Sequence, residues 1–351
     1  MSFNYFLLFL AIATAIASWV FAFGSRWLAH RTEAIAMPGG RHIHRKPIPQ
    51  LGGLGIGAVI LIAIAVGSSF GWFAPSLKPL QILGFAIGIL FLMIGGYLDD
   101  RYDLPAKHLV WFPLLAAISI ALTGTRIHEI TNPFGGHPIV FPAWLGDALT
   151  ILWLLAVTAA TKFADGIDGL VTGQTVIGAG LILGLTLSAA FRQPAMAVLA
   201  AVIGASYLGF LPSNYFPAKQ FLGESGSTIA GFSLGFLSIA SGAKVATALM
   251  ALGIPLADIV FVMLRRIRRG RSPFRGDTSH LHFRLLAAGL TPPKAVAVMW
   301  GLSLLFGILA FGLQTRGKIL LLFVLCVIVL GLSAVLGART RPSSYGPNDR
   351  S

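Results

Sequence analysis

Apolar stretches about twenty residues long recur along the whole chain, and they limit its fold more than any other feature of the sequence. A helix needs about 20 mostly apolar residues to cross a bilayer. Only 11% of the 351 residues are charged, whereas soluble domains average about 25%, so the chain has too few charges to cover a water-facing surface. These observations predict an all-α polytopic membrane protein with about eleven transmembrane helices, at approximately 4–24, 52–74, 79–98, 108–124, 146–163, 170–190, 194–212, 227–242, 244–264, 295–314 and 318–337.

The stretches follow one another without a long linker or a visible repeat. Residues 1–337 are therefore predicted to form one transmembrane domain, and residues 338–351 a short polar tail. The first stretch has no lysine or arginine before it, whereas a cleaved signal peptide has a basic start, so it is predicted to be an uncleaved helix. The single cysteine, Cys326, excludes an internal disulfide.

The basic residues are unevenly distributed between the loops. A net charge of +14 would suit nucleic-acid binding, but these residues lie in short loops, where they determine topology instead. Because positively charged loops stay in the cytoplasm, the loops after odd-numbered stretches and the C-terminus are predicted to be cytoplasmic, and the N-terminus outside. Those loops and the tail contain 20 of the 26 Lys and Arg residues, the other six being Lys78, Arg126, Arg192, Lys244, Arg316 and Lys318.

Acidic residues collect on the same predicted face. The positive-inside rule gives no reason for acids to gather there, so their clustering predicts a functional site in the cytoplasmic loops. Glu129 and Asp147 lie on the opposite side, and Asp258 lies inside the ninth stretch, about two turns from its predicted cytoplasmic end. The clustered acids are Asp99, Asp100, Asp103, Asp165, Asp168, Glu224 and Asp277.

The first acidic cluster, Asp99, Asp100 and Asp103, closes the third stretch. If the helix continues, residues three and four apart share a face, and carboxylates so close repel each other unless a cation joins them. Magnesium suits such a set, since it binds one or two carboxylates together with substrate phosphates. A general base is another use for these acids, and a solvated helix end paired with Arg101 is the alternative without function.

Two further segments combine acids or hydroxyls with glycine. The run Asp165-Gly166-Ile167-Asp168-Gly169 allows close backbone approach, although a tight turn between helices is the alternative. The run 223–227 precedes the eighth stretch, where Ser225 or Ser227 is predicted to cap a helix whose start would hold a phosphate. A cap without a ligand is the alternative for this second run.

Two basic segments complete the pattern. His280 and His282 share a face only on an extended strand, and with Arg275 in the most basic loop they suit phosphate or a metal, with zinc disfavoured because no cysteine lies nearby. His44 and Lys46 precede a Pro- and Gly-rich turn that would seat an acidic lipid head group. A purely topogenic role is the alternative for both segments.

With these five segments in order, the sequence from His44 to His282 resembles the polyprenyl-phosphate N-acetylhexosamine-1-phosphate transferases. The run 98–103 is similar to that family's Asp-Asp-x-x-Asp motif, and 165–169 matches its Asp-Gly-x-Asp-Gly motif. Ser272-Pro273-Phe274 with His280-Leu281-His282, and the segment 131–136, resemble the branch that transfers N-acetylglucosamine 1-phosphate, not the peptidoglycan translocase.

Two positions depart from the family pattern. Where the family has Asn-x-x-Asn before the second acidic motif, this chain has Ala159 and Lys162, and where it has Gly-Asp-x-Gly-Ser, this chain has Glu224 in place of the aspartate. In the family these positions are tied to magnesium. The resemblance therefore implies an altered metal site that includes Glu224 and Asp168, in which Lys162 either replaces part of the ionic charge or pairs with Glu224.

The resemblance implies transfer of an N-acetylhexosamine 1-phosphate, GlcNAc 1-phosphate foremost, from a UDP-sugar to undecaprenyl phosphate in the plasma membrane, with release of UMP. The product would start a lipid-linked cell-envelope glycan. The resemblance is also compatible with a homodimer of this protein. Mg²⁺ is the expected cofactor, with Asp99 or Asp100 as base. The expected catalytic residues are Asp99, Asp100, Asp103, Asp165 and Asp168, and the expected substrate-binding residues are His44, Lys46, Lys107, Ser225, Arg275, His280 and His282.

Two other functions remain open at this point. A transporter would place charges near the middle of the membrane, and Asp258 is the acid that favours it. A catalytically inactive relative that acts as a binding or assembly partner is favoured by Lys162 and Glu224 at the altered metal positions. Turnover of UDP-sugars in detergent distinguishes all three functions.

Overall fold

The computed structural model of the protein describes residues 2–38, 46–74, 76–132, 135–241, 245–268, 270 and 280–339. Helices dominate this part of the chain, with one short 3-10 turn at Ala189–Phe191. The helices are α1 (Phe3–Thr32), α2 (Gly52–Ser69), α3 (Pro79–Tyr102), α4 (Ala106–Leu109), α5 (Trp111–Ala121), α6 (Ala143–Ala164), α7 (Leu170–Leu187), α8 (Pro194–Asn214), α9 (Gly223–Ala240), α10 (Val245–Arg268), α11 (Leu281–Ala287), α12 (Pro292–Phe311) and α13 (Thr315–Arg339).

A helix lies at each of the eleven predicted apolar stretches, which confirms the all-α polytopic membrane class. Within the described ranges, eight of these helices are long and apolar enough to cross a membrane, namely α1, α2, α3, α6, α7, α8, α12 and α13. The remaining three stretches correspond to α5, α9 and α10. The count of eleven spans stays a prediction, and most of the predicted polar tail lies outside the described residues.

The centre of the bundle is formed by α7, α8 and α9. Of the candidate spans, α8 is the most enclosed, packing against α1 and α7, while α9 packs against α3 and α6. Phe85 of α3 stacks on Phe232 and Phe236 of α9, with ring centroids 5.6 and 4.5 Å away. The outer faces expose large apolar side chains that lipid would cover, among them Phe9, Trp19, Leu152, Leu320 and Phe323.

Two small antiparallel hairpins connect helices. The strands β1 (Ile35–Ala36) and β2 (Ile48–Pro49) join α1 to α2, and β3 (Glu129–Ile130) and β4 (Ile139–Val140) join α5 to α6. The Pro49 carbonyl of β2 accepts a hydrogen bond from the Phe221 amide, and the Gly53 amide donates to the Leu222 carbonyl. The start of α2 is therefore tied to the segment that leads into α9.

Glycines allow α2 and α3 to approach the first turn of α9 at backbone distance. A Cβ built on Gly53 would lie 2.0 Å from the amide nitrogen of Gly226, and one on Gly96 would lie 2.2 Å from the amide nitrogen of Ser225. Because these neighbours are backbone atoms, they have no rotamer by which to move away. Small residues at these two positions thus bring the end of α3 beside the start of α9.

We expect Gly96→Ala to destabilise the protein, because its Cβ would overlap the backbone at Ser225 and overpacking typically costs about 1–3 kcal/mol. The measurement is the thermal midpoint of unfolding in detergent. Gly180→Ala is the matched control, since Gly180 is an exposed helical glycine in α7 and a methyl group there would meet no atom within 4 Å. Equal midpoints for the two variants would contradict the close packing of α3 and α9.

Candidate active site

The last turn of α3 presents Asp99 and Asp100 to the start of α9. The Glu224 amide donates a 3.0 Å hydrogen bond to Oδ1 of Asp100, and the Leu104 amide donates a 3.1 Å bond to Oδ1 of Asp99. Gly223 has a φ of +75°, and a Cβ there would lie 2.4 Å from Oδ2 of Asp100. Glycine is therefore required at 223 for this carboxylate to reach the helix start.

One oxygen of Asp100 stands out in this contact. In the part of the chain that the structure describes, Oδ2 of Asp100 is buried and has no hydrogen-bond partner. Buried polar groups are normally satisfied, and an orphan in a native site calls for a ligand, an ion or a water. This oxygen is thus the clearest acceptor in the site for a group that arrives from solution.

The second acidic segment forms the turn between α6 and α7. Asp165 follows the last residue of α6, and the Ala218 amide donates a 2.9 Å hydrogen bond to Oδ2 of Asp168. Gly169 has a φ of +80°, and its amide donates to Oδ1 of Asn214 at 3.2 Å. The last residue of α8 and the segment that follows it therefore hold this turn at two points.

Lys162 of α6 and Glu224 of α9 form an ion pair. The Nζ of Lys162 lies 2.7 Å from Oε1 of Glu224, and the two side chains are 33% and 10% exposed. Of the two roles that the sequence left open for Lys162, the structure has the pairing with Glu224. This ammonium also interacts electrostatically with Asp99, so it places one positive charge among the acids at the ends of α3 and α6.

The acids are close enough to influence each other's ionisation. The pKa of Asp165 is raised to about 8, first because burial desolvates its carboxyl and second because Glu224 and Asp168 lie nearby. A carboxyl with such a pKa is mostly protonated near neutral pH. The cluster therefore favours binding of additional positive charge, and strongly shifted acids of this kind are characteristic of functional sites.

The two histidines lie against the second acidic segment. A Cβ on Gly166 would lie 2.3 Å from Nε2 of His282, so glycine lets this imidazole contact the turn. The rings of His280 and His282 are parallel, with centroids 5.7 Å apart, and His280 stacks on Phe163 of α6 at 6.1 Å. The pKa of His282 is lowered to about 3 by burial and by His280, so its ring is neutral.

The expectation that His280 and His282 would share a face through an extended strand is wrong. His280 is extended and precedes α11, whereas His282 lies in the first turn of that helix. The His280 ring stacks on Phe163 and the His282 ring contacts Gly166, so both rings lie beside the turn between α6 and α7.

Asp258 of α10 is hydrogen-bonded to the histidine segment, which comprises His280, Leu281 and His282. Its Oδ2 lies 2.9 Å from Nδ1 of His280, and its Oδ1 accepts a 2.9 Å hydrogen bond from the Leu281 amide. The sequence presented Asp258 as the acid that favours a transporter, and this partner was not foreseen. A signal existed, because an acid in an apolar helix needs a partner and the next histidines along the chain are His280 and His282.

The predicted cap of α9 by Ser225 or Ser227 is wrong. This helix begins after Leu222 without a side-chain cap, because Oδ1 of Asp100 accepts from the Glu224 amide at that position. Ser225 is fully buried between Gly53 and Gly96, and Ser227 donates to carbonyls of its own helix. Ser225 is therefore placed where its neighbours are helix backbones.

The remaining predicted site residues lie farther out or beyond the described part. Asp103 is exposed and ends α3 in a left-handed conformation, so the helix does not continue through the first cluster. Lys46 and Lys107 are exposed, the latter in α4. His44 and Arg275 lie outside the described residues.

The structure thus brings together residues of five segments: Asp99, Asp100, Lys162, Asp165, Asp168, Glu224, Asp258, His280 and His282.

Comparison with known proteins identifies relatives along most of the chain. The family described as Glycosyl transferase family 4 matches residues 82–242. The chain is 31% identical to the probable undecaprenyl-phosphate N-acetylglucosaminyl 1-phosphate transferase of Bacillus subtilis, over 88% of this chain and 85% of that protein. It is 30% identical to the decaprenyl-phosphate N-acetylglucosaminephosphotransferase of Mycobacterium leprae, over 91% and 87% of the two chains.

A third relative is the undecaprenyl-phosphate alpha-N-acetylglucosaminyl 1-phosphate transferase of Yersinia pestis, at 28% identity over 80% of this chain and 77% of that protein. The three similarities extend beyond residues 82–242 and cover most of each protein.

Proposed function

Because the chain belongs to glycosyl transferase family 4, we propose that it is a phosphotransferase that moves N-acetylglucosamine 1-phosphate from UDP-N-acetylglucosamine to undecaprenyl phosphate and releases UMP. The observation that carries this proposal is the meeting of acids and histidines from distant segments at one end of the helices. A phosphoryl transfer needs groups that orient two phosphates and stabilise the charge between them.

In the reaction, an oxygen of the lipid phosphate forms a bond to the sugar-proximal phosphorus of the donor. The bond between that phosphorus and the oxygen it shares with UMP breaks, so UMP leaves with the electron pair. Asp99 and Asp100 both stay candidate bases, because each accepts one backbone hydrogen bond on its Oδ1, from the Leu104 and Glu224 amides respectively. Where Oδ2 of Asp100 holds a cation, Asp99 is the base. In this proposal His280 and His282 contact phosphate oxygens of the substrates.

Magnesium fits the residues present, with ligands that differ from those expected. Oε1 of Glu224 is occupied by Lys162, and Oδ2 of Asp168 by the Ala218 amide. Asp100, through its free Oδ2, and Asp165 are the better candidates to hold the ion. Among the described residues no three acids, histidines or cysteines converge on one point, but Mg²⁺ is commonly bound by one or two carboxylates plus substrate phosphates. When bound, the ion would neutralise charge on the pyrophosphate.

Orientation in the membrane is part of the proposal. Nucleotide sugars are cytoplasmic, so the acidic site is expected to face the cytoplasm of a plasma membrane, with the N-terminus outside and the C-terminus inside. The distribution of Lys and Arg supports this orientation.

Reporter fusions at residues 140 and 285 are expected to lie on opposite sides of the membrane. Residue 140 is in β4, beyond the end of the bundle that carries Arg126 and Asp147, and residue 285 is in α11 beside the acidic site. Paired reporters, one active only outside and one only in the cytoplasm, make the measurement. Identical locations for the two fusions would overturn the orientation and the span count together.

The experiment that tests the function uses purified protein in detergent, undecaprenyl phosphate and a panel of UDP-sugars, with UMP release followed in the presence and absence of magnesium. We expect turnover with UDP-N-acetylglucosamine that depends on the lipid phosphate. Binding of both substrates without UMP release would favour an inactive relative, the function that the Lys162–Glu224 ion pair supports as a second candidate. If UMP is released only with another UDP-sugar, that sugar nucleotide is the donor, and UDP-N-acetylglucosamine is not.

A further inference from the structure

Asp258 is a buried acid whose two oxygens both contact the histidine segment. It is 3% exposed and lies in α10, and its partners are the His280 ring, 5% exposed, and the Leu281 amide. Removing a carboxylate from water is costly unless strong hydrogen bonds compensate it. Here the compensation comes from the segment that delivers two imidazoles to the acidic site.

The bond to Leu281 fixes the start of α11. Leu281 is the first residue of that helix, and its amide is one of the donors that no intrahelical acceptor satisfies. His280 precedes the helix without a side-chain cap, so Asp258 supplies the acceptor from another helix. A negative charge at a helix N-terminus is also electrostatically favourable. Asp258 therefore anchors the first residue of α11 to α10.

The bond to His280 fixes the ring itself. An ionised Asp258 only accepts hydrogen bonds, so its contact with His280 requires a proton on Nδ1, and in the neutral ring Nε2 then holds the lone pair. The His280 ring stacks on both Phe163 and His282, and these contacts restrain its rotation. Phe163 directly follows Lys162 and is two residues before Asp165, so a ring held against it is held beside the acidic cluster.

We propose that Asp258 is a positioning residue, which fixes the orientation and the tautomer of His280 beside the acidic turn. The proposal rests on the proposed function, because its value to the protein is correct placement of an imidazole that contacts substrate phosphate. Asp258 itself touches no substrate. It acts through His280, and its contribution to turnover disappears when the imidazole is removed.

The first test is a double-mutant cycle between Asp258→Asn and His280→Ala. Asparagine keeps the size of the side chain and can still accept from the Leu281 amide, but its NH₂ then faces Nδ1 and forces the proton onto Nε2. We expect kcat to fall by about 10- to 100-fold, the range for lost orientation of a functional histidine. In the His280→Ala background the same substitution is expected to add no further loss.

Two controls separate positioning from stability. Asp147→Asn removes the acid of another ion pair, with Arg126, at the opposite end of the bundle, and is expected to leave turnover unchanged. Thermal midpoints are measured for every variant, because a merely structural role would lower the midpoint and produce losses that add in both backgrounds. Additive losses, or an Asp258→Asn variant with natural kcat, would overturn the inference.

A second measurement does not require the Asp258 variant to fold. The ¹⁵N chemical shifts of the natural protein in detergent report the tautomer of each histidine, and His280→Gln assigns the signal. We expect the Nδ1–H form for His280, and the Nε2–H form would contradict the inference. The tautomer measurement does not depend on turnover. If the natural protein releases no UMP, the proposed function is wrong, but the ¹⁵N shifts of His280 still decide whether Asp258 fixes its tautomer.

Discussion

Asp100→Asn and Asp165→Asn are each expected to lower turnover by about 100-fold or more, the range for loss of an acid–base or charge-holding group. Asp100 lies in α3 and Asp165 in the turn after α6, and the substitution removes an ionisable carboxyl while keeping the shape. Asp99→Asn and Asp168→Asn are expected to act in the same direction. UMP release from purified protein at saturating substrate is the measurement, and near-natural turnover in two of the four variants would exclude a shared site.

The thermal midpoint of unfolding distinguishes a loss of turnover in Asp165→Asn that comes from the missing carboxyl from one that comes from misfolding. The pKa of Asp165 in the folded protein is about 8, above its usual value of 3.8, so between those values the folded state binds more protons than the unfolded state. Ionisation of this carboxyl therefore makes the folded state less stable as pH rises from about 4 to about 8. Asp165→Asn removes that loss, so without magnesium its thermal midpoint at pH 8 is expected to equal or exceed that of the natural protein. A much lower midpoint would indicate a structural role for Asp165.

Lys162→Asn combined with Glu224→Asp is expected to lower the magnesium concentration that gives half-maximal activity. In the natural protein the Lys162 ammonium occupies Oε1 of Glu224 and repels a divalent ion nearby. The double substitution removes that positive charge, and its shorter carboxylate has no lysine partner. A titration of UMP release against magnesium, at fixed substrates, makes the comparison.

The matched control removes the other ion pair. Arg126→Gln with Asp147→Asn deletes a bridge of 3.2 Å at the opposite end of the bundle, and is expected to leave the magnesium requirement unchanged. Full activity of the natural protein in a chelator would mean that Lys162 replaces the ion. In that case the proposed retention of magnesium is wrong, and the Lys162→Asn variant should then be the less active protein.

The fold was predictable because hydropathy alone determines which segments enter a bilayer. Each apolar stretch became a helix, even 227–242, the shortest of them. Helix packing was not predictable in the same way. The close approach of α2 and α3 to α9 depends on the space above Gly53 and Gly96, and a glycine in an apolar stretch has the same appearance whether its neighbour is lipid or backbone.

Charge patterns and family motifs coincide at Asp99, Asp100 and Asp165, and the structure brings these three acids close together, while their roles stay predictions. The predictions that were wrong or missing concern the hydrogen-bond partner of each side chain or helix end. The cap of α9 is supplied by Asp100, not by Ser225, because α3 lies close enough to offer a carboxylate. The bond between Asp258 and His280 joins residues that the sequence separates by 22 positions, and pairing across such a distance is determined by tertiary packing.

The assembly of the site from distant segments has a consequence for biosynthesis. Asp99 and Asp100 enter the membrane about 180 residues before His280 is synthesised, which at 5–20 residues per second is an interval of about 10 to 40 seconds. From the synthesis of Asp168 until that of His280 the nascent chain contains the acidic ends of α3 and α6 without the imidazoles, and until Glu224 is made it contains Lys162 without its ionic partner. Insertion of α10 and α11 completes the site, so a ribosome that stops before them releases a chain whose acids have no histidine partners.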